Sequence, residues 1–386
     1  MTKKTLYVDA AASSLKPKSV IDAESDFLRH GYANAGRGIC ARAAAVDEMV
    51  DQTRATVARF IGARPEQIIF TSNATDGLNR IPHILEISGA LKSGAAVFVS
   101  DLDHHSARLP FEELAYQNKC AVLRIPLDAA MNLDFGWIVK GDIFVITAMS
   151  NVLGVPQDVK KWVAAAKKIN PDALTIVDAA QYVAHLPIDV ADWDCDFLCF
   201  SGHKIGADTG IGVMYVKEPG HWPADKLGGG MVASVTERAD IGQKLGPTSE
   251  WQNAAGPAKF EAGTLPLTQI VGLGAAIAEK EKDIANNKKE KKMLEFLRGE
   301  LSKMPRVKFI SPEGASVLTF VVDGMHVLDF GTMAGAHGIC LRVGHMCASW
   351  LHAHLGLSGT IRISVGPWNT MAEMKEIVQI IKGIIK

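Results

Sequence analysis

The sequence predicts an α/β fold with a mostly parallel sheet, because short apolar runs alternate with segments of helical spacing. Residues 174–177 (LTIV) and 197–200 (FLCF) have the length and β-rich composition of buried parallel strands. Each run stops abruptly at polar residues, and the segment 159–169 before the first run has the spacing of an amphipathic helix. Repeated strand–helix units of this kind indicate a parallel sheet.

The remaining elements follow in order along the chain. Pro17 starts a helix that is predicted to run to about residue 30, and residues 43–61 also have helical spacing. A glycine turn at 209–212 leads into a predicted antiparallel edge strand. Further strands are predicted at residues 68–71, 96–100, 121–125, 143–147, 317–322 and 360–364, and helices over 267–304 and 371–385.

The composition is that of an ordinary soluble globular protein. The chain has 386 residues and a formal net charge of −1, with 48% hydrophobic and 22% charged residues. Its length allows one or two domains, and its near-neutral charge gives no reason to expect nucleic-acid or membrane binding. No apolar run could span a bilayer, and Asp9 interrupts the N-terminal segment before a signal-peptide core could form. We therefore expect a cytoplasmic protein.

The six cysteines stand at positions 40, 120, 195, 199, 340 and 347 and do not form paired CxxC units. A structural zinc site is therefore not expected, and no metal is predicted. Cys195 and Cys199 lie in or beside a buried strand, where cysteine acts as a small hydrophobic residue. This scattered placement of the cysteines fits a protein of a reducing compartment.

Polar residues of catalytic type follow the two central strands. Asp178 ends the first, and Ser201, His203 and Lys204 follow the second. Ligands of open α/β sheets bind outside the carboxyl ends of the strands, so these side chains should face one crevice. An acid, an amine, a hydroxyl and an imidazole suit pyridoxal phosphate, whose ring nitrogen pairs with an acid and whose aldehyde takes a lysine. Taken singly, Asp178 is equally explained as a turn or cap residue, and Lys204 as a solvated lysine.

Two motifs carry a family resemblance, VDAAQ at 177–181 and SGHK at 201–204. They resemble the cofactor motifs of class V aminotransferase-fold enzymes, and most closely those of cysteine desulfurases of the SufS type, over nearly the whole chain. The resemblance implies the fold type I of PLP-dependent transferases. It also implies a large PLP-binding α/β domain at 16–262 and a small α+β domain formed by 1–15 and 263–386.

The resemblance implies a role for each cofactor-binding residue. Lys204 would bind the cofactor covalently and move protons, Asp178 would pair with the ring nitrogen, and Gln181 would reach the phenolic oxygen. His104 would stack on the ring and shuttle a proton. Taken from the residues alone, the His104-His105 pair could ligate a metal, but no suitable partner spacing supports that. The other cofactor-binding residues are Ser201, His203, Thr75, Asn151 and Thr264.

Residues 72–79 should open a helix, whose N-terminus would favour phosphate, although a plain capping turn is an alternative. Thr75 matches the family's phosphate turn, whereas Ala74 stands where a second threonine is usual. Thr264 matches a threonine that donates to the phosphate of the neighbouring subunit. The resemblance therefore implies a homodimer with shared active sites.

The segment 341–348 (LRVGHMCA) carries the candidate nucleophile, Cys347. A thiol near cationic groups is readily deprotonated, although a lone cysteine can equally be structural. Arg342, Gly344 and Cys347 match the family's loop, whereas Met346 replaces its histidine and His345 stands one position earlier. The resemblance implies that Cys347 accepts the substrate's sulfur.

Arg362 lies among apolar residues of a predicted strand, where a buried guanidinium needs an anionic partner. Its planar fork suits the carboxylate of an amino acid, and a structural salt bridge is the alternative. The resemblance assigns Arg362 to the substrate carboxylate, with Asn151, Arg342 and Arg37 as further substrate-binding residues. Near Arg37, Gly36 and Cys40 replace two histidines of the family segment.

The function implied is PLP-dependent desulfuration of L-cysteine to L-alanine with a persulfide on Cys347. The sulfur would pass to an acceptor or scaffold protein for iron–sulfur cluster assembly. Another class V reaction is an alternative: selenocysteine lysis on L-selenocysteine, transamination or C–S lysis. A non-catalytic paralogue that acts as a scaffold is a further alternative, because Gly36, Cys40, Ala74 and Met346 replace residues that are usual in the family.

Overall fold

The computed structural model describes residues 5–36, 38–134, 136, 139–237, 249–285 and 288–386. The helices are α1 (Lys18–Asp26), α2 (Ala41–Ile61), α3 (Ala74–Ile87), α4 (His105–Gln117), α5 (Val159–Ile169), α6 (Val190–Trp193), α7 (Leu267–Ala285), α8 (Lys288–Leu301), α9 (Val327–Ala336), α10 (Ser349–His354) and α11 (Met371–Ile385). The strands are β1 (Leu6–Tyr7), β2 (Ile68–Thr71), β3 (Ala96–Ser100), β4 (Ala121–Ile125), β5 (Ile143–Thr147), β6 (Leu174–Asp178), β7 (Phe197–Ser201), β8 (Gly212–Val216), β9 (Val232–Glu237), β10 (Ser249–Asn253), β11 (Val307–Phe309), β12 (Leu318–Val322), β13 (Ile339–Cys340), β14 (Arg342–Gly344) and β15 (Thr360–Ile363).

Several helices begin at side-chain caps that the sequence supplies. Asn73, Asp158 and Thr370 accept hydrogen bonds from the backbone N–H groups three residues later, at the starts of α3, α5 and α11. Such caps satisfy N–H groups that have no partner inside the helix. At the end of α1, the chain continues through a π-helical turn over Phe27–Gly31.

The larger sheet has seven strands in the order β2-β8-β7-β6-β5-β3-β4. The five strands from β7 to β4 run parallel, and β8 pairs antiparallel with both β7 and β2. The predicted mostly parallel sheet is therefore confirmed. The prediction that 212–216 form an edge strand is wrong, because β2, far earlier in the sequence, pairs along the outer side of β8.

Alternate residues of the parallel strands enter two different cores, which explains their continuous apolar sequences. In β5, Ile143 and Val145 pack with α3 and α4, whereas Phe144 and Ile146 pack on the other side with α2, α5 and α7. Every residue of β5 and of β7 is buried. The sheet edge that carries the functional residues is therefore a rigid one.

A second, antiparallel sheet of four strands has the order β11-β12-β15-β14, and its core includes residues of α8, α9 and α11. The start of the chain joins this part of the molecule, because β1 pairs in parallel with β13. Helix α7 packs instead on the core of the larger sheet, against α1 and α2. The domain boundaries at residues 16 and 263 stay a prediction.

Among the described residues, no helix combines the length and the apolar character that crossing a membrane requires.

Candidate active site

A cavity of about 280 Å3 lies at the carboxyl ends of β5, β6 and β7. This is where the topology of an open α/β sheet places a ligand. The N-terminal turn, the start of α3, and strands β14 and β15 close its other sides. The lining residues are Ala11, Ala12, Ala74, Thr75, His104, Ser106, Thr147, Met149, Asn151, Asp178, Ala180, Gln181, Ser201, His203, Lys204, Arg342, Met346, Cys347 and Arg362.

Lys204 ends the 3-10 turn that follows β7 and projects its amine into the cavity. Its Nζ donates to the carbonyl oxygen of Ala11 at 2.5 Å. Burial, and after it the charge of Arg362, lower the pKa of Lys204 to about 8, although the carboxylates of Asp178 and Asp9 oppose the fall. A lysine with this pKa is partly neutral near pH 7.5, which suits both nucleophilic attack and proton transfer.

Asp178, the last residue of β6, is 5% exposed and lines the same cavity. Its Oδ1 accepts a hydrogen bond of 2.9 Å from the backbone N–H of Ala180. Burial raises the pKa of Asp178, and this hydrogen bond and the charge of Lys204 oppose the rise. A buried acid in this position favours a cationic or proton-bearing ligand group beside it.

Ser201 and the first turn of α3 form the end of the cavity that is suited to bind a phosphate. The Oγ of Ser201 accepts a hydrogen bond of 2.8 Å from the backbone N–H of Ala74, which leaves its own O–H to donate to a ligand. Thr75 lies in that first turn, where the helix dipole favours an anion. Burial lowers the pKa of His203 to about 4, and its Nδ1 lies 3.4 Å from the Oγ of Ser13.

His104 caps the start of α4 with its ring. Its Nδ1 accepts from the backbone N–H of Ser106 at 3.2 Å and lies 2.6 Å from the Oγ of the same serine. Because a backbone N–H can only donate, Nδ1 must be unprotonated, and the neutral ring carries its proton on Nε2. Burial and the charge of Lys204 lower the pKa of His104 to about 4. The ring is therefore neutral near pH 7 and can donate from Nε2.

Arg362, on β15, is 2% exposed and shares a carboxylate with Arg342 of β14. Asp9 accepts from the Nη2 of Arg362 at 3.0 Å through one oxygen and contacts Arg342 at 2.9 Å through the other. Nη1 of Arg362 donates to the backbone oxygen of Asn151 at 2.8 Å. The structural salt bridge considered from the sequence is thus present, and Arg362 faces the cavity as well.

Two buried polar atoms at this end have no hydrogen-bond partner, the Nε of Arg362 and the Oδ1 of Asn151. The amide nitrogen of Asn151 donates to the backbone oxygen of Met346 at 2.7 Å, which fixes the orientation of the amide. One free donor and one free acceptor thus remain in the wall of the cavity. Buried groups of this kind are normally satisfied, so they indicate a polar ligand.

Residues 344–348, here called the cysteine loop, bring Cys347 to the mouth of the cavity. Met346 and Cys347 have φ angles of +53° and +55°, which non-glycine residues rarely adopt. Met346 packs against the core of the larger sheet, whereas Cys347 is exposed. Consecutive strained residues of this kind are typical of functional sites.

With this geometry established, comparison with known proteins identifies the family. A model of the aminotransferase class-V family matches residues 6–377. The chain belongs to the aminotransferase class-V family.

This class-V chain is 33% identical over 383 residues to a cysteine desulfurase of Escherichia coli O157:H7 (strain EC4115 / EHEC), covering 96% of this chain and 91% of that protein. Its fold matches the apo structure of a cysteine desulfurase from Thermococcus onnurineus NA1 with a TM-score of 0.90 at 29% identity, over 99% and 94% of the two chains. It also matches the cysteine desulfurase CsdA from Escherichia coli, in its S-sulfonic acid form, with a TM-score of 0.88 at 29% identity over the same shares.

These likenesses confirm the predicted resemblance to cysteine desulfurases and the predicted fold, fold type I of the PLP-dependent transferases. The finer resemblance to the SufS type stays a prediction. A NifS-like protein matches with a TM-score of 0.85 at 20% identity over 99% of both chains, which supports the fold alone.

Most of the predicted site residues of this class-V chain lie in the one cavity. They are Lys204, Asp178, Gln181, Ser201, His203, Thr75, His104, Asn151, Cys347, Arg342 and Arg362. Gln181 donates from Nε2 to the carbonyl of Ala11 at 2.8 Å, the same oxygen that Lys204 contacts. The roles that we assign to these residues stay predictions.

Two predicted site residues lie elsewhere. Thr264 is exposed and lines a separate cavity of about 850 Å3, together with Gly36. Its predicted contact with the phosphate of a neighbouring subunit is a contact between chains and stays a prediction. Arg37 lies outside the described residues.

Sequence reasoning missed three residues that shape the site. Asp9 follows a short strand at the start of the chain, and a carboxylate at a strand end could have indicated it. Thr147 ends β5, lines the cavity and donates to the buried carboxylate of Asp103 at 2.7 Å. Ser106 lies two residues after His104 and sets its tautomer. Neither Thr147 nor Ser106 belongs to a sequence pattern that distinguishes such a role from that of an ordinary residue at a strand end or a helix start.

The side chains of this site fit pyridoxal phosphate. An amine and a buried acid line one small cavity with a hydroxyl and a helix N-terminus. The Oδ1 of Asn151, a residue that lines the same cavity, is a buried acceptor without a partner. Among the described residues, no group of three or more His, Cys, Asp and Glu side chains is arranged to hold a metal ion.

Proposed function

We propose that this class-V protein is a pyridoxal-phosphate-dependent cysteine desulfurase that converts L-cysteine to L-alanine. One observation carries the proposal: the Cys347 thiol lies at the same cavity as the amine of Lys204 and the guanidinium of Arg362. An amino-acid substrate held by the arginine would place its side chain between the lysine and the thiol. The cysteine desulfurases to which the chain is similar over most of its length support it.

In this proposal Arg362 and Asn151 contact the carboxylate end of the substrate and the groups beside it. The free Nε of Arg362 donates to the substrate carboxylate, and the positive charge of Arg342 adds electrostatic attraction. The free Oδ1 of Asn151 accepts from the cofactor's ring hydroxyl or from the substrate amine. Asp9 pairs with both guanidinium groups and so offsets part of the repulsion between them.

Lys204 moves protons at the substrate's α carbon. Its pKa of about 8 leaves a fraction of neutral amine at physiological pH, which is the form that can accept a proton. Asp178 would hold the proton on the ring nitrogen, and pyridoxal phosphate would supply an electron sink for the α carbon when it is bound. Ser201, His203 and Thr75 would hold the phosphate.

The Cys347 thiolate then attacks the sulfur of the substrate. A bond forms between the two sulfur atoms, and the bond between that sulfur and the β carbon breaks. The electron pair stays on the β carbon, which takes a proton and leaves as the methyl group of alanine. Cys347 is left as a persulfide, so its sulfur can be passed to a thiol or a thiolate. The Nε2–H of His104 is the proton donor that we assign to this step.

We further propose that two copies form a homodimer with shared sites, in the cytoplasm, and that a separate acceptor or scaffold protein takes the sulfur for iron–sulfur cluster assembly. Thr264 and Gly36, neighbour of Arg37, line one cavity outside the active site. That cavity would receive the phosphate end of the partner's site.

The test is incubation of the purified holoprotein with L-cysteine and a reductant, with alanine and sulfide assayed together. Equal amounts of alanine and sulfide are expected, and Cys347→Ala should lose both while it keeps the cofactor's absorbance. The matched control is Cys340→Ala, because that thiol is also exposed but does not line the cavity.

Full alanine formation by Cys347→Ala would contradict a mechanism with a persulfide on Cys347. Formation of pyruvate and ammonia together with sulfide would favour C–S lysis, and formation of mercaptopyruvate without sulfide would favour transamination. A wild-type protein without a borohydride-sensitive absorbance would favour the non-catalytic paralogue. Repeating the assay with L-selenocysteine ranks the two substrates.

A further inference from the structure

The cysteine loop is attached to the larger part of the molecule at His105, the first residue of α4. The backbone N–H of His105 donates to the backbone oxygen of Cys347 at 2.9 Å. On its side chain, Nε2 lies 3.0 Å from the Oγ of Ser349 and accepts from the backbone N–H of Ser349 at 3.3 Å. One residue therefore holds the loop on both sides of Ala348.

These contacts require one protonation state of the ring. The N–H of Ser349 is at the start of α10, where no partner exists within the helix, and it can only donate. The Nε2 of His105 must therefore carry a lone pair, and the neutral ring carries its proton on Nδ1. A proton added at Nε2 would face the N–H of Ser349 and break that hydrogen bond.

The groups around the ring are few. Trp350 contacts it edge-on, with ring centroids 5.2 Å apart. The guanidinium carbon of Arg108 in turn lies over the ring of that tryptophan, 4.2 Å from its centroid. His104 lies next to it in the sequence, and the charge of His345, in the cysteine loop, acts on it. Burial, followed by the charge of His345, lowers the pKa of His105.

We propose that His105 is a positioning residue, which holds Cys347 at the mouth of the cavity through its unprotonated Nε2, and that its protonation frees the cysteine loop. His105 itself does not line the cavity, so it acts through the loop. The proposal deepens the proposed function, because the thiol it positions is the proposed nucleophile. The two neighbouring histidines then have different roles, since His104 lines the cavity and His105 contacts the cysteine loop.

The test uses two variants at the same position. His105→Gln keeps an acceptor oxygen near the position of Nε2 but cannot be protonated, whereas His105→Leu removes the acceptor. His83→Leu is the control, because His83 is half-exposed on α3, where it pairs with Glu86. For each protein, the rate of Cys347 alkylation by iodoacetamide is measured between pH 5 and pH 8 by peptide mass spectrometry, without substrate. The rate at exposed Cys340 in the same sample serves as the reference.

In the wild-type and control proteins, the ratio of Cys347 to Cys340 alkylation should rise as the pH falls and His105 is protonated. His105→Leu should give a high ratio at every pH, and His105→Gln a low ratio without pH dependence. In the desulfuration assay, His105→Leu should lower kcat about tenfold with little change in KM, and His105→Gln should restore most of it.

A wild-type ratio that does not change with pH would overturn the proposal, and so would a His105→Gln ratio that keeps the wild-type pH dependence. Either result holds even if His105→Leu fails to fold. Since alkylation needs no turnover, it gives its answer even if the protein does not desulfurate cysteine. Failure of the proposed function is then seen separately, as the absence of alanine in the wild type.

Discussion

The cofactor end of the cavity lies on buried strands, whereas the thiol end lies on an exposed loop. At the cofactor end, Asp178 and Ser201 are the last residues of strands that are flanked on both sides by other strands. At the thiol end, Met346 and Cys347 both have a left-handed conformation. Their backbone oxygens accept hydrogen bonds from Asn151 and His105, respectively. From this difference we expect the first end to hold its proposed ligand rigidly, and the second end to let Cys347, the proposed sulfur carrier, move.

The largest effect that this comparison predicts is at Lys204. Lys204→Arg keeps the positive charge but can neither bind the cofactor covalently nor accept a proton at pH 7. Alanine formation should fall by about 10^4-fold, the upper range for a lost general base. The absorbance of the bound cofactor should change as well.

The control is Lys160→Arg, on the exposed side of α5, which should leave both readouts unchanged. Retention of a tenth or more of the activity by Lys204→Arg would contradict the role of Lys204.

A second prediction concerns Asp9, which joins the strand before the cysteine loop to the buried Arg362. Asp9→Asn leaves a guanidinium that is 2% exposed without its counter-charge. Loss of one partner of such a buried pair should lower the free energy of unfolding by about 3 kcal/mol, measured by urea denaturation. KM for cysteine should rise.

Asp22→Asn is the matched control, since Asp22 pairs with Lys18 on the exposed face of α1 and should cost less than about 1 kcal/mol. Equal effects of the two substitutions would show that Asp9 is not a buried counter-charge.

The third prediction follows from the pKa of Lys204, about 8 in the folded protein against 10.5 for an ordinary lysine. Between these values the unfolded chain binds more protons, so this lysine makes the cofactor-free protein more stable as the pH rises from 8 to 10.5. Below pH 8 its burial is destabilising, and Lys204→Met should then be more stable than the wild type by about 1–3 kcal/mol.

The difference between the two proteins should shrink towards pH 10.5, in denaturant titrations of protein freed of cofactor. A constant difference across this range would mean that Lys204 is not buried as an amine.

The smallest effects compare one glycine from each end. A Cβ at Gly202 would lie 2.9 Å from a side-chain carbon of Ile211 and 3.1 Å from its backbone oxygen, so Gly202→Ala should cost about 1–3 kcal/mol and weaken cofactor binding. A Cβ at Gly344 meets nothing within 4 Å, but the φ of +97° is strained for alanine. Gly344→Ala should therefore cost about 1–2 kcal/mol and leave cofactor binding unchanged.

Cofactor titration and urea denaturation of both variants check this pair. Equal loss of cofactor affinity in the two would remove the distinction between the rigid end and the loop end.

The central strands and the residues that follow them could be predicted from the sequence, because strand ends in an α/β sheet share one edge. This is why Asp178, Lys204 and Ser201 were expected together, and the structure places them in one cavity. The position of β8 could not be predicted, because its partner β2 lies in a distant part of the sequence.

The polar contacts across the site could not be predicted from the sequence either. Asp9 contacts arginines of two strands near the other end of the chain, and local patterns contain no signal for such pairs. The left-handed backbone of Met346 and Cys347 is equally hidden, since neither residue type favours it. The expected contact of Thr264 involves a second copy of the chain.

The ion pairs of Asp9 affect the order in which the parts of the active site form during translation. Asp9 and Arg362 are separated by 353 positions, and β1 pairs with β13 rather than with a nearby strand. The ribosome releases the start of the chain long before these partners exist, and the larger sheet can form in the meantime. Arg342 and Arg362, the proposed carboxylate-binding residues, therefore find their partner last, so that a growing polypeptide whose larger sheet has folded would have no finished pocket for the proposed amino-acid substrate.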